Sequence, residues 1–357
     1  MRKKIVISGY YGFGNTGDEA VLAGILATLR QLDIDADVIV LSSDPKRTEI
    51  EHLGARSAHR YKLGAIRAIH SADLVISGGG SLLQDVTSVR SAQYYLSVLK
   101  LAQHFKRPTM IYAQGIGPLN TPSIRRSAAK ILNRVKVITV RDEDSRVLLK
   151  SIGVTTPEVR VTADPSFMVE PDLAGAGAVL DELGLSGQEL IGVSLRSWMG
   201  NKWLPAAIDA ISAACDELGV TPVVIPMQES EDAEVGDALK CGVQMRGVRN
   251  VSVIKGIVAS CGVVVGMRLH SLIFAADVGV PVVPIAYDPK VTAFARAISS
   301  EIGMDVTSLD KGHLKDSIIR AWRDREELGA RIGKHAGRLR GMALESGELA
   351  RQLLGTL

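Results

Sequence analysis

The chain of 357 residues carries a formal charge of only +3, with 46% hydrophobic and 4% aromatic residues. That length suits two domains with cores built from Ala, Val, Ile and Leu, and a nearly balanced charge without a Lys/Arg block among aromatics argues against a nucleic-acid partner. The basic start "MRKKIVISGYYGFGN" meets glycines after a short apolar run, too early for a signal peptide or a membrane span, so the expected location is the cytoplasm.

The first predicted element is the strand "KKIVISGY", followed by a glycine turn and the helix "DEAVLAGILATLRQL". Gly12, Gly14 and Gly17 fit the Gly-x-Gly-x-x-Gly fingerprint, in which a tight turn and a helix N-terminus hold a pyrophosphate. Asp18 and Glu19 work against that use, because two carboxylates in the first helical turn already complement the dipole and repel a second anion. An NAD reading, with Asp44 after "VIVLSS" as ribose ligand, stays open at this point. Strand-like runs then alternate with helical stretches: "DADVIVLS", "ADLVISGGG", "PTMIYAQGIG", "KVITVRD" and "EVRVTAD" predict a parallel sheet with helices on both faces. The stretch "EPDLAGAGA" at 170–178 reads as a linker. Beyond it "ELIGVSLR", "TPVVIPM", "GVVVGM" and "PVVPIA" repeat the pattern. From 309 a polar helical tail, "IIRAWRDREELGARIGKHAGRLRGM", reads as solvated or domain-bridging, its Arg-rich face offering as a second reading peripheral contact with the inner face of a membrane.

The expected architecture is therefore α/β, with two doubly wound Rossmann-like domains at 1–172 and 173–308 facing a central cleft and a helical tail at 309–357. Cys215, Cys241 and Cys261 lack metal-ligand spacing and read as reduced, packed thiols, and no metal is expected.

In doubly wound sheets ligands bind beyond the C-terminal strand ends. In the first half these ends carry "GNTGDE", "SGGGSLLQD", "AQGIGP", "VRDEDS" and "TADPSF", small polar groups suited to a hydroxyl-bearing sugar. Asn15, Asp18, Glu19, Asp85 and Arg141 are the candidate acceptor ligands, against the alternative of ordinary turn, cap and ion-pair chemistry. The second half is cationic: Arg196 follows one strand, Arg268 and His270 another, and Lys290 a third. A cation at a helix start opposes the dipole, so Arg268 is better explained by an anionic ligand, and guanidinium binds phosphate and carboxylate alike.

Taken in order, "GYYGFGNTGDEAVL", "ISGGGSLLQD", "AQGIGP", "TVRDEDS", "VTADPSF", "GVSLR", "GMRLHSLIFAADVGVP" and "YDPKV" resemble the polysaccharide pyruvyltransferase family, and within it the bacterial CsaB type. The resemblance implies a GT-B-like fold and transfer of the enolpyruvyl unit of phosphoenolpyruvate onto two hydroxyls of one sugar as a ketal. The implied acceptor is N-acetylmannosamine in a lipid-linked precursor of a secondary cell-wall polymer that anchors S-layer proteins. It assigns Arg196, Arg268, Leu269, His270 and Lys290 to the donor site, with Arg141 as an addition. The chemistry needs an acid and cations: His270 fits as proton donor or phosphate ligand. Asp18, Glu19 and Asp85 are candidate bases, Asp18 first. No cofactor beyond the co-substrate is expected. The competing readings are a GT-B nucleotide-sugar glycosyltransferase, an NAD-dependent dehydrogenase and a non-catalytic sugar-binding protein.

Overall fold

The computed structural model describes residues 2–86, 88–300 and 303–356, and the chain divides into two compact units, Met1–Met168 with Leu339–Leu357, and Val169–Arg338. In the first unit, strands β1 (Lys3–Tyr11), β2 (Ala36–Ser42), β3 (Arg56–His59), β4 (Leu74–Gly78), β5 (Thr109–Gln114), β6 (Val137–Val140) and β7 (Val159–Val161) pair in parallel in the order β3-β2-β1-β4-β5-β6-β7. Helices α1 (Thr16–Gln31), α2 (Pro45–Glu51), α3 (Leu63–Ser71), α4 (Val89–His104), α5 (Pro122–Leu132) and α6 (Glu143–Ser151) connect them. Alternate side chains of β1 feed opposite faces, as a strand covered on both sides requires. Ile5 and Ile7 join Val21, Leu22 and Ile25 of α1, whereas Val6 joins Ala65 and Ile69 of α3 and Val98 of α4.

The second unit begins with α7 (Leu173–Glu182) and has strands β8 (Leu190–Ser194), β9 (Thr221–Val224), β10 (Val243–Gln244), β11 (Cys261–Gly266), β12 (Val282–Ala286) and β13 (Met304–Asp305). They pair in parallel in the order β10-β9-β8-β11-β12-β13, the same winding as the first sheet. Between them lie α8 (Leu204–Leu218), α9 (Glu229–Asp237), α10 (Val251–Ala259), α11 (Leu269–Asp277) and α12 (Pro289–Ala297). The winding reverses between β1 and β4 in one sheet and between β8 and β11 in the other. At such a switch point the flanking loops diverge and leave a crevice at the C-terminal strand ends.

Three expectations change. The stretch read as a linker is helical from Leu173, because Asp172 caps α7 by accepting from the Gly175 N–H at 2.9 Å. Its small residues serve packing: a side chain at Gly256 of α10 would strike the Asp172 carbonyl and Ala176. The tail, read as one piece, is shared between the units. It forms α13 (Lys311–Arg323) and α14 (Arg325–Gly355), and the residues from Leu339 belong to the first unit. There Ser346 is buried and its hydroxyl bonds Thr139 and Thr162 at 3.0 and 2.9 Å, and Leu349, Ala350 and Leu354 enter the same core as α1. Residues 346–354, beyond the stretch read as solvated or domain-bridging, are thus core, and a tail shared between the units fits the bridging alternative. Among the described residues no helix is long and apolar enough to cross a membrane. Cys215 and Cys261 are buried, and burial pushes both thiols up to about 12, but Cys241 is exposed rather than packed.

Candidate functional site

In the second unit the cations gather at the switch point. Arg268 stands at the N-cap of α11 in extended backbone, and its guanidinium reaches the start of α9. Its Nε donates to both Asp232 oxygens at 3.1 Å, and its Nη2 donates to Glu231 Oε2 at 3.1 Å and to Asp232 Oδ1. Asp232 is buried and held in turn by the Met227 and Gln228 N–H groups, each at 3.0 Å. Burial pushes the Arg268 pKa down, but the adjacent Asp232 carboxylate outweighs it and the group sits above the ordinary arginine value.

Arg196, two residues beyond β8, places Nη2 3.5 Å from the same Glu231 oxygen, so two guanidiniums converge on one carboxylate. Its Nη1 donates to the Tyr287 hydroxyl at 3.3 Å. The Tyr287 ring lies 5.2 Å from the Arg196 guanidinium and 5.8 Å from Lys290 Nζ, with Trp198 packed edge-on against it at 5.1 Å. Lys290 also pairs with Asp288 at 3.4 Å. Leu269 is buried, and His270 is half-buried on the first turn of α11. The fold thus brings Arg196, Arg268 and Lys290 together. Sequence reasoning does not single out Glu231, Asp232, Tyr287 or Trp198; the first two reach Arg268 only because β9 lies beside β8.

The first unit treats its candidates differently. Gly12 has a φ of +78°, and any side chain there would collide with the Ser42 hydroxyl. The Asn15 side chain caps α1, accepting from the Gly17 and Asp18 N–H groups at 3.0 and 3.3 Å. Glu19, expected to meet an acceptor, is instead buried: one oxygen accepts from the Gly12 N–H at 2.8 Å and the other lies 2.9 Å from His52 Nε2, so it ties the glycine loop to the core. Asp85 is likewise spent internally, on the Asn120 and Thr121 N–H groups at 2.6 to 2.9 Å. Burial raises its pKa, but these donors prevail and hold the carboxyl below its ordinary value. Arg141, also expected at the acceptor, pairs with Asp164 at 3.2 Å and donates to Ser81 at 3.0 Å, fastening three strand-end loops from a half-buried position.

Asp18 alone of the acidic candidates keeps a half-buried carboxylate, lying over Gly80, where a side chain would collide with it. Burial, and then the Asp18 charge, raise the Tyr11 pKa. Asp44, the ribose ligand of the NAD reading, caps α2 by accepting from the Arg47 N–H at 3.2 Å. Glu19, Glu51 and His52 bring ligand atoms within 4.8 Å of one another, but Gly12 and Arg47 already occupy the two carboxylates.

One cation here had no sequence signal. Arg60, just after β3, has its guanidinium carbon 3.9 Å from the Tyr94 ring centre and 5.1, 5.3 and 5.4 Å from those of Tyr61, Phe13 and Tyr95. Burial lowers its pKa, yet the Tyr95 and Tyr94 phenols more than offset this.

A polysaccharide pyruvyl transferase family model matches residues 15–289. The chain belongs to the polysaccharide pyruvyl transferase family. As a member it is a transferase, with a polysaccharide acceptor implied. It is 22% identical over 397 aligned residues to the amylovoran biosynthesis protein AmsJ of Erwinia amylovora, covering 93% of this chain and 95% of that protein. Among solved structures it resembles Anabaena Alr3699/HepE in complex with UDP and glucose, with a TM-score of 0.64, 14% identity and full coverage of both chains. A UDP-N-acetylglucosamine 2-epimerase described as putative, from Listeria monocytogenes, aligns with a TM-score of 0.67 and 11% identity over 97% of this chain and 94% of that one. At these identities the likeness is one of fold, two Rossmann-like units as in neighbours of the GT-B type, and the parallel strand order of each sheet agrees with it.

Proposed function

We propose that the protein transfers pyruvate from phosphoenolpyruvate as a ketal onto one sugar of a lipid-linked polysaccharide precursor, with the donor in the second unit and the acceptor in the first. The observation that carries the reading is Glu231 Oε2, held by Arg268 at 3.1 Å and Arg196 at 3.5 Å: an oxyanion already stands where a donor carboxylate or phosphate would bind. N-acetylmannosamine of a secondary cell-wall polymer is the acceptor that the sequence resemblance to the CsaB type supports.

The reaction delivers a proton to C3 of the enol phosphate while a sugar hydroxyl oxygen bonds to C2. The C2–O bond to phosphate then breaks with its electron pair, and a second hydroxyl of the same sugar closes the ketal. Of the two hydroxyl protons, one replaces that given to C3 and the other leaves with phosphate. Arg196 and Lys290 relieve the charge that collects on the departing phosphate, so the chemistry calls for neither a metal nor a further cofactor. His270 is the proton donor, and Asp18 is the base for the acceptor hydroxyl.

The test is His270→Ala in deuterated water. Transfer falls by ~10² to 10⁴ while phosphoenolpyruvate still raises the melting temperature, and the wild type places solvent deuterium in the ketal methyl group. Near-normal turnover in the variant removes His270 from the chemistry.

A further inference from the structure

Arg60 is 7% exposed, and its Nε is buried with no hydrogen-bond partner among the described residues. Burying a guanidinium is costly unless something replaces its water. Among the described residues the groups that do so are aromatic rings, Tyr94, Tyr61, Phe13 and Tyr95, rather than a carboxylate. Rings soften the loss of hydration without neutralising the charge.

The surroundings open toward solvent. Phe13 is 39% exposed and Tyr61 70% exposed, unusual for rings of this size. Phe13 stacks flat on Tyr10, 4.1 Å apart at 9°, so its plane is fixed. Tyr61 is braced edge-on by Tyr94 at 5.2 Å. The Arg60 N–H donates to the Ser42 carbonyl at 2.9 Å, which anchors the residue at the C-terminal edge of the sheet beside the glycine loop. The Tyr95 ring borders Arg60 at 5.4 Å, and its phenol also feels the charge of Asp18.

We infer that Arg60, Phe13 and Tyr61 form a subsite for a sugar bearing an oxyanion, phosphoryl or carboxylate, with the apolar face of the sugar on the exposed rings and the oxyanion on the guanidinium. The inference rests on the proposed function only in calling this sugar the acceptor. A ligand oxyanion would give Arg60 the counter-charge that no carboxylate among the described residues supplies.

Calorimetric titration of the full-length protein with glucose 1-phosphate, glucuronate and glucose tests it, with phosphoenolpyruvate titrated in parallel. The wild type binds at least one anionic sugar more tightly than glucose, and whichever binds better identifies the anion. Arg60→Met loses about tenfold or more for that ligand, Arg60→Lys recovers part of the loss, and neither changes phosphoenolpyruvate affinity. Tyr61→Ala, at an exposed position where folding is not at stake, weakens the anionic sugar and glucose alike. No preference for an anionic sugar in the wild type, or the same preference in Arg60→Met, overturns the subsite. Should Arg60→Met fail to fold, unchanged sugar affinity in Tyr61→Ala overturns it. Failure of the wild type to bind phosphoenolpyruvate contradicts the proposed donor and leaves the subsite standing.

Discussion

Arg268 and Arg60 are buried to nearly the same degree, 8% and 7% exposed, beyond the C-terminal ends of strands in two sheets wound alike, yet their charges are met in opposite ways. Arg268 has a buried, doubly anchored Asp232 and the more open Glu231, whereas Arg60 has rings. The difference teaches what each cation is ready to do. A guanidinium fixed by a buried carboxylate is a post: its charge is balanced, and it serves by holding its neighbours in place. Around it, Arg196 and Lys290, with side chains 24% and 33% exposed, are the reachable cations. A guanidinium among rings has a charge still to be balanced.

The largest expected effect breaks the two pairings themselves. Arg268→Met strands the buried Asp232 carboxylate and destabilises the protein by about 3–5 kcal/mol. Arg60→Met leaves no carboxylate behind and costs only about 1–2 kcal/mol of ring contact. Thermal melts of both variants check this, and an equal loss in the two would mean that the contrast between carboxylate and rings has no energetic content.

A smaller effect sharpens the donor side. Glu231 has a side chain 46% exposed and bridges Arg196 and Arg268, so on the proposed reading a donor anion displaces it. Glu231→Gln removes that competitor and tightens phosphoenolpyruvate binding by about two- to fivefold, the scale of an exposed ion pair. Weaker binding in this variant would make Glu231 an anchor for the arginines rather than an occupant of their site.

Much of the fold was legible because apolar runs such as "KKIVISG" and "GVVVG" end in loops rich in glycine or charge, and the strand-end cations Arg196, Arg268 and Lys290 could be named from that position alone. Their partners were not legible. Glu231 and Asp232 follow β9, and only the order that sets β9 beside β8 brings them to Arg268. Glu19, in the first helical turn of α1, and Asp85, after β4, are acidic residues of which nothing local reveals that the Gly12 N–H captures one and the Asn120 and Thr121 N–H groups the other. Arg60 follows a four-residue edge strand without periodicity, and its rings other than the adjacent Tyr61 arrive from the glycine loop and α4. The run around Gly175 looked like a linker because small residues mark both loose chain and close helix packing.

The division of ligands between the two units is tested most directly by titrating phosphoenolpyruvate into the wild type, Arg196→Ala and Arg60→Met. The account predicts binding to the wild type, a loss of about tenfold or more in Arg196→Ala and an unchanged affinity in Arg60→Met. No binding to the wild type, or a loss in Arg60→Met with none in Arg196→Ala, would contradict it.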